Sequence, residues 1–201
     1  MAGRKRTFNK EDALDKAMRL FWNNGYAGTS IANLTSELGI NTPSLYAAFG
    51  NKEQLFKEAL FHYSKQYVEP HYQHLTHSSD ANLKERLQAC FYGLIELFTD
   101  SDTPLGCLIV KSVNESNGIT FPVEATLYIG ESGAETKRLL ISLFESQLKQ
   151  KGTPLSTSTE MLVDYLLSVS YGLAVQARAG QSEDALKLVM GHALSTLPRW
   201  K

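Results

Sequence analysis

The sequence predicts an all-α protein of about nine helices: a three-helix N-terminal head over residues 1–51 and a larger helical domain over residues 52–201. Three observations predict it. Apolar residues recur at spacings of three and four along most of the chain. Asn, Ser or Thr precede these runs where an N-cap belongs. Gly or Pro follows them, where a helix needs positive φ or cannot continue.

The first helix is expected from Asn9 or Lys10 to Asn24, with Leu14, Ala17, Met18 and Phe21 on one face. Glu11, Asp12 and Asp15 suit the positive end of its dipole, and Gly25 closes it. Thr29 and Ser30 precede a short helix with Ile31, Leu34 and Leu38 inward and Gly39 as its stop. Ile40 and Asn41 make a turn. Thr42 can then cap a third helix, with Pro43 in its first turn and Leu45 and Phe49 inward. Asn51 and Gln54 form a capping-box pair opening a fourth helix, which carries Leu55, Phe56, Ala59, Leu60, Tyr63 and Tyr67 and is expected to end before Pro70.

Beyond Pro70, His71, His74 and His77 recur every third residue, a spacing that can ligate a metal on a helix. The proline and the Ser-Ser-Asp run instead suggest a loop, and no carboxylate or Cys completes a site, so no metal is expected. Helices follow over 82–98, 105–116 and from Ala134 to the Lys151-Gly152 stop. Residues 122–135 resist a reading, with two glycines and little periodicity. The last two helices are expected over 158–178 and 183–197. Their apolar faces are Leu162, Leu166, Val169 and Leu173, then Leu186, Val189, Met190, Ala193, Leu194 and Leu197. Small residues such as Ser168 and Gly172 permit close helix packing. From periodicity alone the pair either completes a protomer core or meets a second copy.

Composition excludes several classes. With 43% hydrophobic residues the chain is ordinary globular material, and no apolar run approaches a membrane span. The N-terminus lacks the apolar core of a signal peptide, and Cys90 and Cys107 form no metal-spaced pair, so a cytoplasmic protein with reduced thiols is expected. Cys107 reads as a small residue in an apolar run or, alternatively, as a sensor thiol. No phosphate loop, nucleophile elbow or zinc motif is present, so neither an enzyme nor a cofactor is expected. The net charge of −1 divides into +2 over residues 1–60 and −3 over the rest. Arg4, Lys5 and Arg6 form a basic arm, which reads as a solubilising tail or as a segment reaching a nucleic-acid backbone or minor groove.

Residues 30–49 have the length and turn of a helix-turn-helix. Short polar side chains at the start of the second helix can enter a DNA major groove, although the same pattern also suits a helical hairpin inside a core. The run from Gly39 through Ser44-Leu45-Tyr46, Phe49 and Lys52-Glu53 to Leu55 decides between them. Together with Phe21-Trp22-Asn23-Asn24-Gly25-Tyr26 and Thr29-Ser30-Ile31, it resembles the DNA-binding signature of the tetracycline-repressor (TetR) family over about the first sixty residues.

The resemblance implies a homodimeric, ligand-responsive transcription factor, most simply a repressor on an inverted-repeat double-stranded DNA operator. It implies base-edge contacts from Asn41, Thr42 and Ser44, and Pro43 against a thymine methyl. It implies phosphate contacts from Thr29, Tyr46 and Lys52, with Ser30 and the arm Arg4, Lys5 and Arg6 in support. An unidentified effector is expected inside the second domain, with Tyr63, Tyr67, Phe91, Tyr92, Phe98, Phe121 and Tyr128 as aromatic candidates. The last two helices are expected to make a four-helix dimer interface through the apolar faces named above. Two competing readings remain at this point: a ligand-binding or catalytic helical protein that keeps the head as a relic, and an activator or architectural binder without a ligand.

Overall fold

A computed structural model describes residues 9–76, 81–151 and 158–197, leaving out the side chains of 148–151. The described residues are mainly helical, without strands. The head comprises α1 (Lys10–Asn24), α2 (Ile31–Leu38) and α3 (Thr42–Phe49). A long rod follows, made of α4 (Lys52–Tyr63), a π-turn (Ser64–Val68) and α5 (Glu69–Thr76). Then come α6 (Leu83–Thr99), α7 (Leu108–Glu115), α8 (Val123–Lys151), α9 (Thr159–Arg178) and α10 (Glu183–Ser195). With the rod taken as one helix, the described residues hold the nine that the periodicity predicts.

Capping explains most boundaries. Asn9, Ser30, Asn51, Asn82, Ser158 and Ser182 each accept a backbone N–H in the first turn of the helix they open. Gly39 takes φ +66° after α2, the left-handed conformation that reverses the chain into the turn. The cap of α3 is Asn41 and not Thr42: its Oδ1 accepts the Ser44 N–H at 2.8 Å, which places Thr42 and Pro43 inside the first turn.

Three segments depart from the sequence expectation. The rod does not end before Pro70. In the π-turn the Glu69 N–H reaches the Ser64 carbonyl, which breaks the i→i−4 register just ahead of the proline and lets its ring in. His71 and His74 therefore lie on α5 and not in a loop, while His77 falls outside the described residues. The helix expected from 105 starts at Leu108, because Gly106 turns at φ +82° and Cys107 is extended as the N-cap. The unreadable stretch 122–135 is the first part of the 29-residue α8, carried by buried Ala125, Ile129, Leu140 and Phe144.

The core runs continuously from the head into the larger domain. α1 packs chiefly along α4, and α6 lies against α5, α9 and α10. At the junction the fully buried Trp22 meets Tyr63 edge-on at 4.7 Å and Tyr67 at 5.5 Å, and its Nε1 donates to the Gly106 carbonyl at 3.2 Å. A methyl group on Gly106 would sit 2.8 Å from the Ala174 carbonyl oxygen, in a backbone conformation that side chains disfavour. Gly106→Ala should therefore cost about 2 kcal/mol. A thermal melt should show a fall of about 4–8 °C.

Candidate nucleic-acid interface and internal cavity

The head offers one polar, protruding helix end. Asn41, Thr42, Pro43, Ser44, Tyr46 and Ala47 are all exposed, while Leu45 and Phe49 anchor α3 to the core. Tyr46 keeps 45% of its surface. The start of α3 presents backbone N–H groups and short side chains without a bulky neighbour, which suits contact with base edges and phosphates. Ser30 is also exposed, closed into a reciprocal capping box with Asn33.

Two phosphate candidates differ from expectation. Thr29 is fully buried. Its Oγ1 donates to the Gly25 carbonyl at 2.7 Å and its N–H bonds the Tyr26 carbonyl, so it holds the α1–α2 corner and presents nothing outward. Lys52 is half-buried with its ammonium 4.0 Å from the Tyr26 ring centroid. Burial lowers its pKa, opposed by the Glu115 carboxylate. It stands at the N-terminus of α4. The arm Arg4, Lys5 and Arg6 lies outside the described residues.

The head is tied to the larger domain at one corner. α1 has no basic residue in its last turn, so its terminal carbonyls lack a local cation. Arg178 of α9 supplies one, with Nη1 donating to Trp22 O at 3.3 Å and Nη2 to Asn23 O at 2.6 Å. Lys111 of α7 donates to Asn23 O at 3.1 Å. The carboxylate of Glu115, at the far end of α7, accepts the Tyr26 N–H at 2.8 Å. α7 therefore grips the α1–α2 corner through Lys111 near its middle and Glu115 at its C-terminal end.

Its N-terminal end meets a cavity of about 610 Å³ bounded by the rod, α6, α7, α8 and α9. The apolar wall includes Phe61, Val68, Leu94, Phe98, Ile109, Val110 and Leu139. Polar groups enter from Tyr72, Thr136, Ser170, Tyr171 and Cys107. Charged residues also line it, among them Lys65 paired with Glu69 at 2.8 Å, and Glu131 and Glu135. The π-turn contributes Ser64, Lys65 and Val68, so the departure from α-helical register opens onto this space.

Of the seven aromatic candidates, Phe98 and Tyr128 line the cavity. Tyr63 and Tyr67 pack on Trp22, and Tyr67 also accepts from Arg19 at 2.8 Å. Phe91 is core. Tyr92 lies beside Gly191 and under the Lys187 ammonium. Phe121 joins Tyr26 and Phe56 in an aromatic cluster below the head. Aromatic residue type selected the core as readily as the cavity. The signals passed over were Pro70 within a helical pattern and the polar side chains Tyr72, Thr136 and Ser170.

The α9–α10 pair corrects the expected interface. Leu166, Leu173, Leu186, Met190, Ala193, Leu194 and Leu197 are buried inside the protomer and cannot also meet another chain. Leu162 and Val169 pack partly against the same core, and only Val189 is exposed. A second stripe faces outward at alternating spacings of four and three: Met161, Tyr165, Ser168, Gly172 and Val175. On α10 the exposed apolar residues are Leu188, at 75%, and Val189, at 46%. A side chain at Gly172 would meet nothing within 4 Å.

Among the described residues, no helix is long and apolar enough to cross a membrane, and no group of three or more His, Cys, Asp or Glu could hold a metal ion.

Comparisons with known proteins agree with this architecture. The family described as "Bacterial regulatory proteins, tetR family" matches residues 13–59. The transcriptional repressor ComR of Escherichia coli is 30% identical over 197 residues, spanning 98% of this chain and 92% of its own. The repressor BdcR of the same organism is 27% identical over 198 residues, spanning 97% and 93%. Among solved structures, a cysteine mutant of the regulator CifR, complexed with 26-bp double-strand operator DNA, superposes with a TM-score of 0.82 at 32% identity. That match covers 97% of this chain and all of the other.

Proposed function

The chain belongs to the tetR family of bacterial regulatory proteins, and on that premise we propose that it is a homodimeric, sequence-specific transcriptional repressor, released from an inverted-repeat DNA operator by a small-molecule effector. It is a regulator and not an enzyme, and it works in the cytoplasm where its DNA lies. The observation that carries this reading is the exposed, polar, basic-free N-terminus of α3 on a head packed against a second domain.

The working division falls at 51/52, with the head reading DNA and the remainder binding effector and partner. Asn41, Thr42, Pro43 and Ser44 meet base edges. Tyr46, Ser30, Lys52 and the arm Arg4, Lys5 and Arg6 contact the backbone. With few cations on α3, discrimination rests on van der Waals fit and DNA shape. Two-fold symmetry places two copies of α3 in successive major grooves about 34–36 Å apart. The effector occupies the cavity between α4 and α9. The dimer forms through the outward stripes of α9 and α10.

The switch is a population shift in the spacing of the two heads. α7 is suited to carry it, since Ile109 and Val110 line the cavity while Lys111 and Glu115 hold the α1–α2 corner. An effector binding both states equally would shift nothing.

The test is binding of the purified dimer to DNA from upstream of its own and adjacent genes, against scrambled DNA, across a salt series. Preference for one inverted repeat is expected. Lys52→Ala should flatten the slope of log K against log salt by about two per dimer, one phosphate per subunit. Tyr46→Phe should weaken binding about fivefold or more through loss of its hydroxyl contact, with an unchanged melting temperature. If both variants bind like the parent, the assignment of this face fails.

A further inference from the structure

The geometry points to Arg178 as the positioning residue that sets the spacing of the two heads, and with it the half-site spacing of the operator that the dimer selects. This role rests on the inverted-repeat and α9–α10 dimer reading above and goes beyond it in assigning spacing selectivity to one side chain.

Arg178 ends α9, three residues beyond Val175 of the outward stripe. α9 is 20 residues of uninterrupted α-helix. At a rise of 1.5 Å per residue, about 15 Å separates Ser168, in the middle of the stripe, from Arg178. One stiff element therefore carries the proposed two-fold contact along its length and a cation at its end. α1 packs chiefly along α4 and α2, and α9 chiefly along α6, α8 and α10. The Arg178 guanidinium bridges the two helices. Its Nη1 donates to Trp22 O at 3.3 Å and to Leu105 O at 3.2 Å, and its Nη2 to Asn23 O at 2.6 Å.

The joint suits a planar fork and not a point charge. Among the described residues the guanidinium bonds carbonyls and pairs with no carboxylate. Those carbonyls belong to two segments, the negative end of the α1 dipole and the loop ahead of α7. The loop is itself tied to α1, since Arg19 donates to the Asp102 carbonyl at 2.8 Å and Trp22 Nε1 to the Gly106 carbonyl at 3.2 Å. On the α9 side, a methyl group on Gly106 would stand 3.1 Å from the Arg178 Cβ. Head, loop and α9 thus close into one joint. Lys111 reaches the same Asn23 carbonyl from α7, and its pKa is lowered by burial and by the neighbouring Arg178 charge. Lys111 ties the head to the cavity side, whereas Arg178 ties it to the helix that meets the partner. Without the fork the head stays packed on α4, but its angle to α9 is no longer fixed.

The test is binding of the full-length dimer to operators whose half-sites are moved together or apart by one base pair, with a single half-site duplex alongside. One base pair shifts a half-site by about 3.4 Å and about a tenth of a helical turn. The parent should lose about a hundredfold in affinity on either altered spacer, because both heads no longer engage together. Arg178→Met keeps the apolar stem and removes the donors, and Arg178 is exposed at its helix end, so the protomer core is untouched. It should bind the parental spacing about tenfold more weakly and narrow the spacing preference to below about tenfold. Its affinity for the single half-site should stay parental. Arg178→Lys offers one donor group in place of the fork and should give a preference between the two. Lys137→Met removes the partner of Asp164 on the same α9, a pair at 2.6 Å, and should keep the parental preference. A mere loss of stability would weaken every duplex alike, so an unchanged preference in Arg178→Met overturns the positioning role alone. A fall on the single half-site as large as that on the full operator, or equal narrowing by Lys137→Met, also overturns it. A parent indifferent to spacing overturns the inverted-repeat reading and this role with it.

Discussion

Ala47→Glu on α3 should abolish operator binding while leaving the fold intact. Ala47 is exposed on the helix whose N-terminal face carries Thr42, Pro43 and Ser44, and it follows Tyr46, which is 45% exposed. Its methyl group leaves room for the helix to lie deep in a groove. A carboxylate there would stand among phosphates, and like-charge juxtaposition across an interface costs several kcal/mol. At about 3 kcal/mol per half-site, a symmetric dimer loses about 6 kcal/mol, on the order of 10⁴-fold in affinity. Glutamate is a good helix former, and a surface substitution of this kind usually changes stability by less than about 0.5 kcal/mol. Fluorescence anisotropy on the operator and a parallel melt check the two halves. Strong residual binding would mean that α3 does not enter the groove.

The head was legible because its boundaries are written in local chemistry. Ser30, Gly39, Asn51 and Gln54 each satisfy or release specific backbone groups, and they do so in the structure as their types imply. Where competing caps adjoin, as with Asn41 and Thr42, only the three-dimensional turn selects one. Pro70 misled for a different reason: its penalty is local, but the π-turn that relieves it depends on the packing of the whole rod. Gly130 and Gly133 hid α8 because glycine lowers helix propensity, while buried Ala125, Ile129, Leu140 and Phe144 override it by tertiary packing. Nothing in the sequence marks the inward turn of Thr29, because a hydroxyl carries no sign of whether it faces solvent or the Gly25 carbonyl.

The proposed dimer face is hard to read from sequence, since α9 carries two apolar stripes one residue apart. Leu162, Leu166, Val169 and Leu173 form the more hydrophobic one, and the structure turns it toward the protomer core. Met161, Tyr165 and Val175, with Ser168 and Gly172 between them, form the other. Amphipathicity finds both and ranks first the one that the structure packs into the protomer core. The small residues favour the outward stripe as the proposed interface, since they are poor core fillers and good points of close helix approach.

Combining Val175→Glu with Leu188→Glu should therefore convert the dimer to a folded monomer. Val175 is 51% exposed and Leu188 75% exposed, so both substitutions leave the protomer core untouched. Two-fold symmetry places four carboxylates in the interface, each an unpaired buried charge costing about 3–5 kcal/mol unless it escapes to water. Even partial escape exceeds the roughly 8–12 kcal/mol that holds a micromolar to nanomolar dimer. Sedimentation velocity should show a single species of protomer mass, and circular dichroism should retain the helical signal. Leu166→Glu is the contrasting control: Leu166 has no exposed surface, so its substitution should unfold the chain and not merely dissociate it. Operator affinity should fall with dimerisation, because a lone head binds one half-site without its tethered partner. A double variant that remains dimeric would place the symmetry axis on another face.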